Sequence, residues 1–285
     1  MIRTRMLRLV AVVTAGLATV SPAAADQPAG PTTGAVLTPR TGAGSPLRLA
    51  VATAGSVVFG HHWAYNDPQV GPRNYYLQYE LSDSAPRPLW IALHAYQWTA
   101  GTLRANTNAS LDSFSAAHHI VLAYGEGYGG SWNAGRPCCG AALSRGIDDV
   151  AYLRAIVANA ATRTPVDLSR VYLIGVSNGG MMAFRAAIEA RDVFAGACAI
   201  SGDLLVADPL DAPVRLCELH DAVHDTTVPW AGGAGFAGLV FPPVWSVPLR
   251  LAYGSLWVEY PHAAGHTWPP GGTGRAWQIL ANWHL

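Results

Sequence analysis

Residues 89–94 read Leu-Trp-Ile-Ala-Leu-His, a continuous apolar run that predicts a central strand covered on both faces. Comparable runs stand at 171–174, 194–200 and 214–220, with further strand candidates at 119–124 and 256–260. Helical spacing lies between them. Over 147–161, Val150, Leu153, Ile156 and Val157 make one apolar face, and Asp148 and Asp149 sit in the first turn, where acids suit the dipole. From Met181 the chain is strongly helix-favouring, and 99–114 reads as partly helical. Strands alternating with helices predict an α/β fold with a mostly parallel sheet, right-handed crossovers and flanking helices. Two earlier stretches, 47–59 and 73–81 (Tyr75, Leu77 and Tyr79 alternating), predict an opening antiparallel section that Pro86 and Pro88 end. Residues 126–140 form a loop rich in Gly, Trp and Cys. No internal repeat is visible, and one domain is expected over 47–285.

The N-terminus carries an address. Arg3, Arg5 and Arg8 precede an apolar stretch at 9–20, and Ala23-Ala24-Ala25 offers a cleavage site before Asp26. The stretch is too short and alanine-rich for a good membrane span. Residues 1–25 are expected to be a signal peptide, 26–46 (Pro, Gly, Thr, Ala) a flexible leader, and the product extracellular. The 285 residues carry 18 basic and 18 acidic side chains. That balance points to neither nucleic acid nor an anionic membrane. Export places Cys138, Cys139, Cys198 and Cys217 in an oxidising compartment. At least one bridge is expected. A bond between Cys138 and Cys139 would be strained; Cys198 and Cys217 fall on runs expected to be neighbouring strands, where buried free thiols are the alternative. The spacing shows no zinc pattern.

The chemistry centres on Gly175-Val176-Ser177-Asn178-Gly179, a G-x-S-x-G between a strand run and a helix run. A serine on such a sharp turn is crowded by its own backbone, which leaves room only for glycine two residues to either side, and the turn exposes its hydroxyl at the sheet edge. A serine hydroxyl near neutral pH needs a base and a carboxylate behind the base. In this type of fold they follow in the order acid, then histidine. Asp225, in a loop after the 214–220 run, is the expected carboxylate. His266, in Gly265-His266-Thr267-Trp268-Pro269 after the last strand, is the expected base. Asp221 is the rival acid, and His224 and His262 are the rival imidazoles. His94 and His220 end buried strands, where a structural hydrogen-bonding role is expected. Backbone N–H groups of Asn178 and Tyr96 are the expected oxyanion donors, and Trp98, Trp230 and Trp268 the expected lining of the cleft.

These motifs occur in order with Leu93-His94-Ala95-Tyr96, Ser131-Trp132-Asn133-Ala134-Gly135, Cys138-Cys139-Gly140, Ile147-Asp148-Asp149-Val150 and Asp225-Thr226-Thr227-Val228-Pro229. Together, from about Arg73 to the end, they resemble the secreted polyhydroxybutyrate depolymerase/feruloyl esterase family of α/β-hydrolases. The resemblance implies the α/β-hydrolase fold, the triad Ser177, Asp225 and His266, the Tyr96 and Asn178 donors, and no cofactor or metal. It also implies an ester substrate, polymeric polyester or feruloylated polysaccharide, acted on by a monomer. The family usually has Leu-His-Gly where this chain has Ala95, and a further helix around Val247 where this chain has several prolines. A non-catalytic exported binding protein on the same fold is the alternative.

Overall fold

The computed structural model describes residues 57–80, 84–205, 214–244 and 257–285. The expected signal peptide, the leader and the region around Val247 lie outside the described residues.

The apolar runs become neighbours. In chain order the main strands are β1 (Val57–Asp67), β2 (Gly71–Glu80), β3 (Arg87–Leu93), β4 (Val121–Gly125), β5 (Val166–Val176), β6 (Gly196–Ile200) and β7 (Arg215–Asp221). A small pair, β8 (Gly233–Ala234) and β9 (Val240–Phe241), precedes β10 (Trp257–His262). The eight-stranded sheet runs β1-β2-β4-β3-β5-β6-β7-β10. β1–β2 and β2–β4 are antiparallel and every later pairing is parallel. The helices are α1 (Ala100–Asn106), α2 (Ser110–Ala117), α3 (Gly140–Arg145), α4 (Asp149–Ala161), α5 (Asn178–Glu189) and α6 (Gly272–Leu280).

Strand alternation explains the layering. Leu89, Ile91 and Leu93 of β3, with Val171 and Leu173 of β5, face the core shared with α4 and α5. Trp90, Ala92, Tyr172 and Ile174 face the opposite core, where Leu103, Leu111, Ala276 and Leu280 of α1, α2 and α6 pack. Both faces being covered is why these strands read as unbroken apolar runs.

Several boundaries moved. The first strand runs to Asp67, later than the expected 47–59. On an edge hairpin Trp63 and Tyr65 pack on the core while His62, Ala64 and Asn66 alternate with them as exposed residues, so no long apolar run marks the strand. β5 begins five residues before the apolar run, because its first half is not fully buried. α5 starts at Asn178 rather than Met181; Gly179 and Gly180 have low helix propensity but belong to the turn. Asp148 is the N-cap of α4, accepting from Ala151 N–H, and Asp149 alone occupies the first turn.

Both cysteine pairs are bridged. Cys198 and Cys217 are register partners on β6 and β7, and the adjacent Cys138–Cys139, which the sequence argued against, is bonded too. Among the described residues no helix is long and apolar enough to cross a membrane.

Candidate active site

β5 ends at Val176 and α5 begins at Asn178, so Ser177 makes the whole turn. Its backbone lies at φ 54° and ψ −123°, a region that costs about 1–3 kcal/mol for a residue with a side chain. Hydrogen bonding over-determines it: Ser177 N–H donates to Ile200 O at 2.8 Å, and Met181 N–H donates to Ser177 O at 2.9 Å. The flanking glycines are required by contact. A β-carbon at Gly175 would lie 2.3 Å from Gly179 O, and one at Gly179 would lie 2.3 Å from Leu93 O and 2.5 Å from His94 O.

Two sheet positions away, β7 delivers Asp225. Its Oδ1 accepts Thr227 N–H and Val228 N–H, each at 2.9 Å. Its Oδ2 meets His266 Nδ1 at 2.8 Å and His220 Nε2 at 3.1 Å. Burial opposes the charge, but these donors hold the Asp225 carboxyl well below the usual carboxylate range. A carboxylate accepting at Nδ1 sets the His266 tautomer, with Nδ1–H donated to Asp225 and the Nε2 lone pair open. No hydrogen bond joins Ser177 to His266 in this resting arrangement among the described residues; such contacts are commonly long without substrate.

Asp221, the rival acid, does a different job. Its carboxylate accepts Val223 N–H and His224 N–H, and Oδ2 accepts Gly265 N–H at 2.7 Å, which ties the His266 loop to the β7 loop. Against burial, these N–H donors hold its carboxyl far below the usual range. His224, a rival base, is exposed and bonds Asp221. The backbone N–H of Gly265 could not be singled out from sequence, because the bond spans 44 residues.

The turn after β3 faces the same edge. Gln97 N–H donates to Gly130 O and Trp98 N–H to Ala95 O. Neither Tyr96 N–H nor Asn178 N–H has a backbone acceptor among the described residues. His94 steadies this turn: its Nδ1–H donates to Ala95 O at 2.8 Å, and its Nε2 accepts Gly127 N–H at 2.9 Å. Burial, with a smaller push from Arg73, lowers its pKa to about 4, so the ring is neutral as those bonds demand. Ala95 is not in the left-handed region of the backbone.

The 126–140 loop is tied to the serine turn and to the end of β3. Asn178 Oδ1 accepts Trp132 N–H at 2.8 Å while its Nδ2 donates to Trp132 O at 3.1 Å. Trp132 Nε1–H reaches His94 O. Buried Arg73 binds Asp67 and Asp149 and donates to Glu126 O, and Asp149 also accepts Asn133 N–H.

Of the expected aromatic lining, Trp98 and Trp268 are partly buried against the α1–α2–α6 core, and Trp268 Nε1–H donates to Thr273 Oγ1. Trp230 packs edge-on to His220, ring centroids 5.4 Å apart. Tyr96 meets Phe236 edge-on at 5.8 Å; Phe236 lay in a stretch without helical or strand periodicity and was not anticipated. A cavity of about 450 Å³ beside β2, α1 and β4, lined by Tyr76, Arg104, Tyr124 and Glu126, contains none of Ser177, Asp225 or His266.

A mostly parallel sheet with helices on both faces, and a strained serine turn at the C-terminal edge of its strands, define an α/β-hydrolase fold. Solved structures agree. The chain superimposes on a thermostable esterase with a TM-score of 0.57 at 18% identity, covering 80% of this chain and 63% of that one. It superimposes on s-formylglutathione hydrolase (FrmB) from Staphylococcus aureus with a TM-score of 0.58 at 14% identity, covering 82% and 100%. In sequence it is 32% identical over 201 residues to "Putative esterase NocK" of Nocardia uniformis subsp. tsuyamanensis, covering 67% of this chain and 53% of that protein. It is 34% identical over 122 residues to feruloyl esterase B of Piromyces equi, covering 41% and 21%. The chain thus spans about half the length of the first relative and less of the second. No family model matches it.

Proposed function

We propose that this chain is a secreted serine esterase that hydrolyses carboxylic esters through an acyl-enzyme. The observation that carries the reading is the pairing of His266 Nδ1 with Asp225, itself held by four donors, at the strand edge where Ser177 sits on its forced turn. His266 Nε2 takes the Ser177 proton as Oγ bonds to the carbonyl carbon, and the carbonyl electron pair moves onto oxygen. The N–H groups of Tyr96 and Asn178 face that oxyanion. Collapse breaks the ester C–O bond, and His266 hands its proton to the leaving alcohol. Water, activated by His266, then frees the acid. The scheme uses no metal or organic cofactor.

Short hydroxyalkanoate polyesters or oligomers and hydroxycinnamoyl esters on plant polysaccharide are the substrate classes, with the protein acting as a monomer. The likeness to a feruloyl esterase supports the second. Tyr96 and Phe236 would line the acyl side of the cleft, and Trp98, Trp230 and Trp268 its margins. The two disulfides fit an oxidising compartment, as does the N-terminal address. Purified protein should turn over p-nitrophenyl acetate, and Ser177→Ala should reduce kcat by about 10⁴-fold or more. Methyl ferulate beside a hydroxybutyrate trimer discriminates the two substrate classes. Polymer binding without turnover in the wild type would replace this reading with that of a binding protein.

A further inference from the structure

β7 breaks its own pattern. Leu216, Glu218 and His220 share one face of the strand, and the last two are polar yet have no exposed surface. His220 Nδ1 lies 3.0 Å from Glu218 Oε1. Its Nε2 lies 2.8 Å from Val228 O and 3.1 Å from Asp225 Oδ2, the oxygen that also takes His266 Nδ1. Asp203, from the loop after β6, is buried in the same group and feels the Glu218 charge. A strand needs none of this for stability, because a buried ionic cluster is on balance no better than well-packed apolar residues.

We propose that His220 is a positioning residue for the Asp225–His266 pair: a second imidazole, carrying a proton on both ring nitrogens, that fixes Asp225 Oδ2 from behind and is itself held by Glu218. The inference rests on the serine-esterase reading, which supplies the reaction being tuned. The hydrogen-bond partners dictate the protonation. Val228 O can only accept, so Nε2 carries hydrogen. Glu218 Oε1 already accepts Gly202 N–H at 3.1 Å, so it is the acceptor for Nδ1–H as well. Burial works against the charge, but the bonds to Asp225 and Glu218 outweigh it and raise His220 to about 10. Burial and the Glu218 charge push Asp203 up to about 8, so Asp203 is neutral at pH 7. Burial raises Glu218 too, against its bonds to His220 and Gly202, and Asp225, held well below the usual range, supplies the countercharge. Trp230 covers the imidazolium edge-on.

The other ionisable groups facing His220 are few. From the end of its own strand comes Asp221, hydrogen-bonded to His224. From β10 comes His262, whose ring senses both Asp221 and His220. From the last loop comes His266.

Because His220 and His266 share one oxygen, a charge on the first opposes protonation of the second. Removing that charge makes His266 easier to protonate. His220→Gln keeps an amide N–H in place of Nε2–H but carries no charge. His220→Asn is too short to reach Asp225. In His220→Gln the acid limb of the kcat/KM profile for p-nitrophenyl acetate should move to higher pH by about one unit. In His220→Asn, kcat on the plateau should fall about 100-fold with KM little changed, since Asp225 loses its backing; His220→Gln should recover part of that loss. A folded His220→Gln whose acid limb stays in place overturns the inference. If neither variant folds, ¹⁵N-histidine spectra of the wild type decide: at pH 8 His220 should show two protonated ring nitrogens, and a ring with one bare nitrogen overturns it. Labelling of Ser177 by a fluorophosphonate separates the two layers. Labelled wild type with an unmoved acid limb sinks only the role of His220, whereas unlabelled, inactive wild type sinks the esterase reading and this inference with it.

Discussion

Gly179→Ala puts the geometry of the serine turn to the test. The added methyl would sit 2.3 Å from Leu93 O and 2.5 Å from His94 O, whereas ordinary contact begins at 3.4 Å. Both obstacles are backbone, so no side chain can swing away. The turn and the end of β3 must separate by about 1 Å to restore normal contact distance. That movement acts on the segment carrying Tyr96 N–H, one of the two proposed oxyanion donors. Overpacking of this kind costs about 1–3 kcal/mol, which in a domain of this size lowers Tm by several degrees, at about 2–4 °C per kcal/mol. A 1 Å misplacement of a reacting constellation costs about 100-fold in kcat/KM. Differential scanning fluorimetry and p-nitrophenyl acetate kinetics read the two effects separately. Gly101→Ala, in α1 with its nearest neighbour at 3.6 Å, is the control and should raise stability by about 0.4–1 kcal/mol with unchanged kinetics. A Gly179→Ala protein that melts with the wild type and turns over as fast would refute the crowding argument.

Asp203 is raised to about 8 by burial and the neighbouring Glu218, while its unfolded counterpart ionises at about 4. Between those values folding takes up a proton, so the penalty grows with pH and is complete above 8. Asp203→Asn should therefore be stabilised more at pH 8.5 than at pH 5, on the order of a few kcal/mol; equal shifts in Tm at the two pH values would show that Asp203 is ionised in the folded protein. Replacing Cys198 and Cys217 together by alanine opens a bridge spanning 19 residues. The loss should be about 3 kcal/mol, measured as a lower guanidinium midpoint, and an unmoved midpoint would mean the pair is not bridged in solution.

What could be read in advance was what is local in the chain. Leu89 to His94 and Val171 to Ile174 announced buried strands because both faces are covered, and Ser177 announced its turn because only glycines fit around it. The order Asp225 then His266 came from the topology of such sheets. What escaped was contact between side chains and distant backbone. Asp221 was weighed only as an acid, although its carboxylate serves Gly265 N–H. Glu218 passed as part of an apolar run because strand alternation hides one polar residue between two apolar ones, and two of its partners, Gly202 and Asp203, come from the separate loop after β6. The Cys138–Cys139 bond depends on the course of a loop without periodicity. The first strand runs further than expected, to Asp67, for the opposite reason: its edge position asks for apolar residues on one face only.

Asn178 holds two posts at once. Its main-chain N–H is the second proposed oxyanion donor, while its side-chain amide engages both backbone groups of Trp132, 46 residues upstream. Any side chain lacking that amide would release the upstream loop even if the main chain never moved. In a directed-evolution library selected for new ester specificity, tolerated changes should therefore be sparse at positions 132 and 178. They should gather on the rim around Phe236, which is 40% exposed and touches Tyr96 only edge-on.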